Sequence, residues 1–535
     1  MLLITSAAYI DQEFVSELGV LPPSFLPLGN KRLFEYQIDL ARKFNQQVFI
    51  SVPDTFELSF ADWEILNSKG VEVIKVPSEL SLGGSIRYCI DKMLINDSED
   101  GAISILHGDT LFECLSQEVD VVSVSTNRGY YSRAVYIGDS ARVFETRQAC
   151  GGDKVASGYF SFSSKKLLAE LLIKAKGSFV DAINAYSNEL PLSLVELERW
   201  YDFGHINAYF LSRAAFTTQR SFNDIEFTSG TVTKTSFQHL KMKGEVNWFR
   251  ELPPPLKIYT PRLLDYHISN DVSEAPSGYT LEYVYNLPLS DLFVFGRLDK
   301  DTWRTIFMSC KSFMDGCKLQ PVDGSDRQKI KSVSSRLYYE KTMVRLKAFS
   351  ESTGFDLWHQ QILNGINYPS LAVIAEKTSL LIGEADVNHL GLIHGDFCFS
   401  NILYDFRTRR IKVIDPRGVD VHGDVTNYGD RRYDLAKLHH SVIGLYDVII
   451  AGRLSAKHVD GGWMLSDDED CYHKEVADIY KEVFYSNMPE LEKTVHAISI
   501  QLFLSMLPLH SDRPDRQASM IANAIRLYAN MDAHA

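Results

Sequence analysis

The chain has no apolar run long enough to cross a bilayer, no lysine and arginine run, no cysteine pair at zinc-ligand spacing and no low-complexity tract or long Pro/Gly linker. Each absence excludes a class of protein. A membrane-spanning helix needs about 20 consecutive apolar residues, and the most apolar late stretch, SVIGLYDVIIAG, is short and interrupted by Asp447. A nucleic-acid partner asks for a concentrated basic face, whereas the formal net charge is −14. The seven cysteines are scattered and odd in number, so they read as reduced, mostly core residues. MLLITSAAYI lacks the basic start of a secretory signal and reads as a first strand, so a cytoplasmic location without membrane insertion is expected. What is present is globular: 535 residues, 45% hydrophobic and 12% aromatic, enough for several domain-sized units.

Residues 391 to 418 read GLIHGDFCFSNILYDFRTRRIKVIDPRG. An apolar approach (Leu392, Ile393) leads into His394-Gly395-Asp396, Asn401 follows, and a second apolar run (Ile411, Val413, Ile414) delivers Asp415. Transfer of a phosphoryl group from ATP needs that set. One carboxylate positions and deprotonates an acceptor hydroxyl, while an amide oxygen and a second carboxylate hold magnesium on the phosphates. Asp396, Asn401 and Asp415 fit those roles in order. Gly-Asp turns and strand-ending Ile-Asp-Pro are ordinary structure when met singly; the combination with apolar flanks is what points to chemistry. His422-Gly423-Asp424 repeats the tripeptide with Asn427 only three residues on and no strand after it, and reads as a loop.

The stretch resembles the catalytic and metal loops of the aminoglycoside phosphotransferase and choline kinase family, relatives of the protein kinases. The resemblance implies an α+β two-lobed kinase-like domain over 218–535, with an N-lobe at about 218–290 and a helical C-lobe at about 291–535. RRYDLAKL is similar to the family's segment after the metal loop, where an Asp begins a helix and braces the site, so Asp434 reads as structural. A kinase also needs a lysine on the phosphates and a glutamate to hold it. SGTVTKTS places Lys234 in a β-branched strand, and KMKGEVNWFREL offers Glu245 beside Trp248, Phe249 and Leu252 at helical spacing. YTLEYVYNLPLSDL is similar to the inter-lobe hinge, where backbone groups of Glu282, Tyr283 and Val284 would meet adenine. Trp358, Trp463 and Tyr433 are candidates for an aromatic cage around a quaternary amine, with core packing the commoner fate of such residues. The acidic composition weakly favours a cationic acceptor.

The first 217 residues alternate strands and helices in the manner of an open, mostly parallel α/β sheet. The strand AISILHGDTLF ends in Gly108-Asp109, where such sheets bind ligands, and WYDFGHINAYFLSR supplies a second carboxylate, Asp202. Two carboxylates at one site can hold magnesium on a nucleotide's phosphates. This part resembles the sugar nucleotidyltransferases through LPPSFLPLGNK before a Tyr36-Gln37 helix, Leu82-Gly83-Gly84, Gly108-Asp109, Gly158-Tyr159-Phe160 and Trp200-Tyr201-Asp202-Phe203-Gly204. The resemblance implies magnesium on Asp109 and Asp202, and nucleotide or substrate contacts at Lys31, Gly83, Gly84 and Gly158. Two departures stand out: Tyr9-Ile10-Asp11-Gln12-Glu13 replaces a Gly-rich, Arg-bearing loop, and Pro23-Ser24 replaces Pro-Lys. A glycine-poor acidic loop is a poor host for phosphates; Lys31 or Arg32 could supply the missing cation.

The expectation is a bifunctional enzyme using ATP, Mg2+ and CTP or another nucleoside triphosphate. One half would phosphorylate a small hydroxyl compound and the other would couple the product to a nucleotide, giving an activated precursor for surface polysaccharide. The rival is a small-molecule kinase with a non-catalytic nucleotidyltransferase-like domain for regulation or assembly. A homo-oligomer is compatible with either.

Overall fold

The computed structural model describes residues 1–44, 46–96, 99–127, 131–138, 143–214, 224–228, 230–269, 275–320, 322, 324–466 and 471–532. The chain divides into two compact units, Met1–Thr217 and Thr218–Ala535. The segment from 215 to 223 between them and the acidic run Asp467 to Asp470 lie outside the described residues.

The first unit is α/β. Its sheet runs in the order 144–148, 132–136, 154–162, 103–107, 2–5, 48–53, 72–76. Strands Leu2–Thr5, Val48–Pro53, Glu72–Val76 and Ile103–His107 are mutually parallel. The first two are buried along their whole length and read as continuous apolar runs, as strands covered on both faces must. Strand Lys154–Phe162 then turns the sheet antiparallel, an extension that carries no motif of its own. The helix Leu82–Asn96 covers one face, and its Ile86, Cys89, Ile90 and Met93 enter a core with Phe160, Phe162 and Tyr186. Where the sequence suggests an acidic loop after the first strand, the chain forms a short helix, Gln12–Leu18, capped by Asp11.

The second unit begins with an antiparallel sheet in the order 224–227, 231–236, 277–282, 263–267. Helix His239–Glu251 follows the strand Thr231–Ser236 and buries Met242, Val246, Trp248 and Phe249. The rest is mainly helical around Pro489–Met506, which is buried on every side from Ala497 to Ser505, as a helix apolar all round must be. Gly461 and Gly462, expected in an exposed loop, belong to a hairpin of strands Ala456–Val459 and Gly462–Leu465. The second His-Gly-Asp is a turn, with Asp420 accepting from the N–H groups of His422 and Asp424. No helix among the described residues is long and apolar enough to cross a membrane.

Candidate active site

The His-Gly-Asp loop and the loop of Asp415 meet beside a hairpin that starts just after Asn401. Strands Ile402–Asp405 and Arg410–Val413 pair with Ile402 opposite Val413, so Asn401 and Ile414 flank the same end. Ile414 N–H donates to Asn401 O at 3.0 Å and Arg417 N–H to His394 O at 2.9 Å, which brackets Asp415 against the His-Gly-Asp loop. Asp415 itself takes a positive φ of 58°, a conformation L-residues avoid unless their surroundings impose it. Asn401 Nδ2 donates to Asp396 O at 3.0 Å and Asp396 Oδ2 at 3.1 Å. That orients the amide with its oxygen as the remaining acceptor.

Lys234 is the hub of the opposite wall. Its Nζ lies 2.7 Å from Glu245 Oε2 and also pairs with Asp415 Oδ1. Burial works against the charge on Lys234, but Asp415 and Glu245 outweigh it and hold the ammonium above its ordinary pKa. Burial would raise Asp415, yet Lys234 and Lys241 win and keep its carboxyl below the usual range. Tyr279 Oη donates to the same Glu245 oxygen at 2.7 Å. The helix bearing Glu245 approaches closely because Gly244 has no side chain: a Cβ there would stand 2.7 Å from Gly418 O. Trp248 Nε1 donates to Ile393 O at 2.8 Å and ties the same helix to the catalytic loop.

Asp434 braces the site, but it does not open its helix. Asp430 caps Arg431–Val442, and Asp434 stands one turn inside. Its carboxylate accepts from the backbone N–H of His394 at 2.6 Å and Gly395 at 2.8 Å. Burial pushes Asp434 up to about 7 and His394 down to about 4, so the imidazole stays neutral.

At the expected hinge, the N–H groups of Glu282 and Tyr283 are already given to Arg262 O and Gly230 O, both at 2.9 Å. Val284 N–H has no acceptor among the described residues, which leaves it, rather than all three, as the donor toward a base. The aromatic cage is not assembled. Trp358 is 68% exposed, Trp463 is buried with its Nε1 on Gln361, and Tyr433 is buried between cations. Sequence reasoning missed Lys437, whose Nζ lies 2.8 Å from Asp396 Oδ1. It stands three residues after Asp434 and four after Tyr433, spacings that share a helix face.

In the first unit, strand Tyr201–Asp202 pairs with Thr110–Leu111, and Phe203 N–H donates to Asp109 O at 2.8 Å. The two carboxylates converge on Gly204, where a Cβ would stand 2.6 Å from Asp109 Oδ2 and 3.2 Å from Asp202 Oδ1. Gly158, at φ 95°, lies beside Thr110. Gly83 packs on the backbone of Gly177, and Gly84 neighbours Ser81. Lys31 is not part of this group: it is half exposed, pairs with Asp39 at 3.8 Å and lies over Tyr36. Arg32 is buried on Asp62 and Phe25 O. The cation that does arrive is Arg133, from strand Ser132–Tyr136, which pairs with Asp202. Gln37 is a further residue missed from sequence, its amide donating to His107 O, Gly108 O and Thr110 O within 3.2 Å.

Among the described residues no cluster of three or more His, Cys, Asp and Glu could hold a metal alone. Each site instead offers a partial set of oxygens, Asn401 with Asp415 and Asp109 with Asp202. Such sets fit magnesium that keeps waters and takes its remaining ligands from phosphates.

No protein-family model matches the chain, and no curated protein does. Solved structures fall into two groups. A nucleoside-diphosphate-sugar pyrophosphorylase from Vibrio cholerae RC9 is 14% identical, covers 40% of this chain and 100% of its own, with a TM-score of 0.33. The inositol-1-phosphate CTP transferase from T. maritima is 16% identical over 40% of this chain and 95% of its own, with a TM-score of 0.29. An aminoglycoside-3'-phosphotransferase of type VIII is 15% identical over 56% of this chain and 99% of its own, with a TM-score of 0.31. At scores this low the chemistry has to be read from the side chains.

Proposed function

We propose that the second unit transfers the γ-phosphoryl group of ATP to a hydroxyl of a small molecule. The observation that carries the reading is Lys234 joining Glu245 to Asp415 while Asp415 lies against the loop that holds Asp396 and Asn401. In this reading Lys234 and Val284 N–H bind the nucleotide, and Asn401 and Asp415 would hold magnesium. The ion, when bound, neutralises charge on the phosphates and the departing ADP. Asp396 orients the acceptor hydroxyl and takes its proton as the new O–P bond forms and the bond to the β-phosphate oxygen breaks. Lys437 and Asn401 fix the Asp396 carboxylate from two sides.

The experiment is ADP release by the full chain across cationic, neutral and anionic hydroxyl compounds, with magnesium present or chelated. Magnesium-dependent turnover that needs an acceptor supports the reading; equal turnover under EDTA overturns it.

A second reading, nucleotidyl transfer by the first unit, rests on the convergence of Asp109 and Asp202 with Arg133. Arg133 would supply the phosphate-facing charge that the acidic helix start at Asp11 lacks. With both units active, the phosphorylated product of one is the substrate class of the other. An activated precursor for surface polysaccharide is the product class that the motif resemblance suggests. Pyrophosphate release from CTP, GTP, UTP or dTTP with a phosphorylated acceptor tests this, and its absence in the wild type favours a non-catalytic first unit.

A further inference from the structure

Beside Asp396 the chain concentrates positive charge that its own carboxylates do not balance. Lys341 and Arg345 stand four residues apart on helix Tyr339–Thr353, so both fall on one face. Tyr433 and Lys437 have the same spacing on helix Arg431–Val442. Arg417 follows the metal loop, its backbone pinned to His394 O at 2.9 Å. Lys341 Nζ lies 5.8 Å and Arg417 Cζ 6.0 Å from the centre of the Tyr433 ring. Like charges at that helical spacing repel, and the whole molecule carries a formal charge of −14, so the concentration is local and against the average.

Lys437 is answered by Asp396. Among the described residues Lys341, Arg345 and Arg417 form no ion pair, Arg345 donating only to Ser505 O at 3.0 Å. Tyr433 Oη likewise makes no hydrogen bond among the described residues. Nearby Asp434 gives its oxygens to backbone N–H groups and is pushed up to about 7 by burial. Burial, with Arg417, Arg345 and Lys437 around it, drives Lys341 down to about 8 despite Tyr433. Tyr433 shifts below its ordinary value, since Lys341, Lys437 and Arg417 overcome its burial. A cavity reaches Arg417 and Tyr433 from one side, past His394 and Gly395; Asp420, Asp424 and Asp430 line its other parts, and Lys341 and Arg345 lie outside it.

We propose that Lys341, Arg345, Arg417 and the Tyr433 hydroxyl bind an anionic group, a phosphate or carboxylate, on the hydroxyl compound whose OH faces Asp396. The assignment of this group to the acceptor rests on the kinase reading above; the anion site itself does not. It replaces the cationic acceptor that the acidic composition suggested. An oxyanion supplies the hydrogen-bond acceptors and charge that these side chains lack, and it anchors the substrate at one end while its hydroxyl meets Asp396 at the other.

The test uses the full chain and two readouts. Inorganic phosphate, without nucleotide, is expected to raise the melting temperature of the wild type and not of Lys341→Met. Loss of a strained cation should leave that variant melting no lower than the wild type. In turnover, hydroxy acids and hydroxyalkyl phosphates are expected to outpace matched neutral polyols and amino alcohols, the faster of the two anionic classes identifying the group. Lys341→Met should then raise the acceptor KM at least tenfold with the ATP KM unchanged, and Lys341→Arg should restore it. Phosphate stabilisation without turnover would leave the anion site standing and remove the kinase reading. Faster turnover of neutral or cationic acceptors, phosphate competing with ATP rather than acceptor, or an unchanged acceptor KM in Lys341→Met overturns the proposal.

Discussion

Replacing Lys234 with Met removes the cation shared by Glu245 and Asp415, and the geometry says how unevenly that loss falls. Glu245 is fully buried and Asp415 30% exposed, so the uncompensated charge is mainly that of Glu245. Lys241 stays 3.7 Å from the other Glu245 oxygen, so the loss falls toward the lower end of the about 3–5 kcal/mol that leaving a buried ion without its partner costs. Glu245→Gln is milder, because Lys234 keeps Asp415, and losing one charge-assisted bond costs about 1.5–3 kcal/mol. In the double variant the buried negative charge is gone, so about 1–2 kcal/mol of the Lys234→Met loss should return. Urea unfolding followed by tryptophan fluorescence reads these differences, and Mg-ATP titration is expected to show an affinity loss of about 10–100-fold for Lys234→Met, or roughly 1.4 kcal/mol per decade. Equal damage from both single variants with a strictly additive double would refute Lys234 as the hub. So would an unchanged Mg-ATP affinity in Lys234→Met.

Lys341, held near 8 by burial and by Arg417, Arg345 and Lys437, should make the KM for an anionic acceptor climb above pH 8, by up to about tenfold per unit, and Lys341→Arg should flatten that profile in initial-rate assays. The same shift has a stability sign: a lysine lowered from its unfolded value of about 10.4 leaves the unfolded chain binding more protons, so stability from this group rises with pH between about 8 and about 10. Denaturant midpoints across that window should climb less in Lys341→Met. Asp434→Asn puts an amide where two backbone N–H groups need acceptors, and is expected to lower kcat with a loss of about 1.5–3 kcal/mol in stability. Gly244→Ala pushes a methyl into Gly418 O and should weaken Mg-ATP binding without touching any polar group, as read by nucleotide titration.

The motifs were legible where chemistry and local structure coincide in sequence. Asp396, Asn401 and Asp415 lie within twenty residues, beside strands whose apolar runs mark them; one hairpin brings Asn401 to Asp415, and the Asn401 amide holds Asp396. Lys234 and Glu245 were legible for a similar reason, a β-branched strand beside an amphipathic helix. What escaped depends on contacts distant in sequence. Arg133 reaches Asp202 from a strand 69 residues earlier, and Lys341 joins Arg417 and Tyr433 only because three separate elements pack together. Lys31 looked available because its neighbours match a motif, yet its short strand turns it to Asp39. At the hinge, the N–H groups of Glu282 and Tyr283 are taken by Arg262 O and Gly230 O, a demand invisible in side-chain patterns. Net charge averages a surface and says nothing of a pocket, so it could not show the cations gathered beside Asp396.

In the proposed kinase reaction Asp396 handles the acceptor proton while Lys234, Asn401 and Asp415 serve the nucleotide and its metal. Asp396→Asn separates these roles, measured by Mg-ATP affinity and acceptor phosphorylation on the same preparation. Nucleotide affinity is expected within about twofold of wild type, with phosphoryl transfer down by about 10²–10⁴-fold, the usual contribution of a positioned base. Phosphorylation at the wild-type rate in that variant would contradict it.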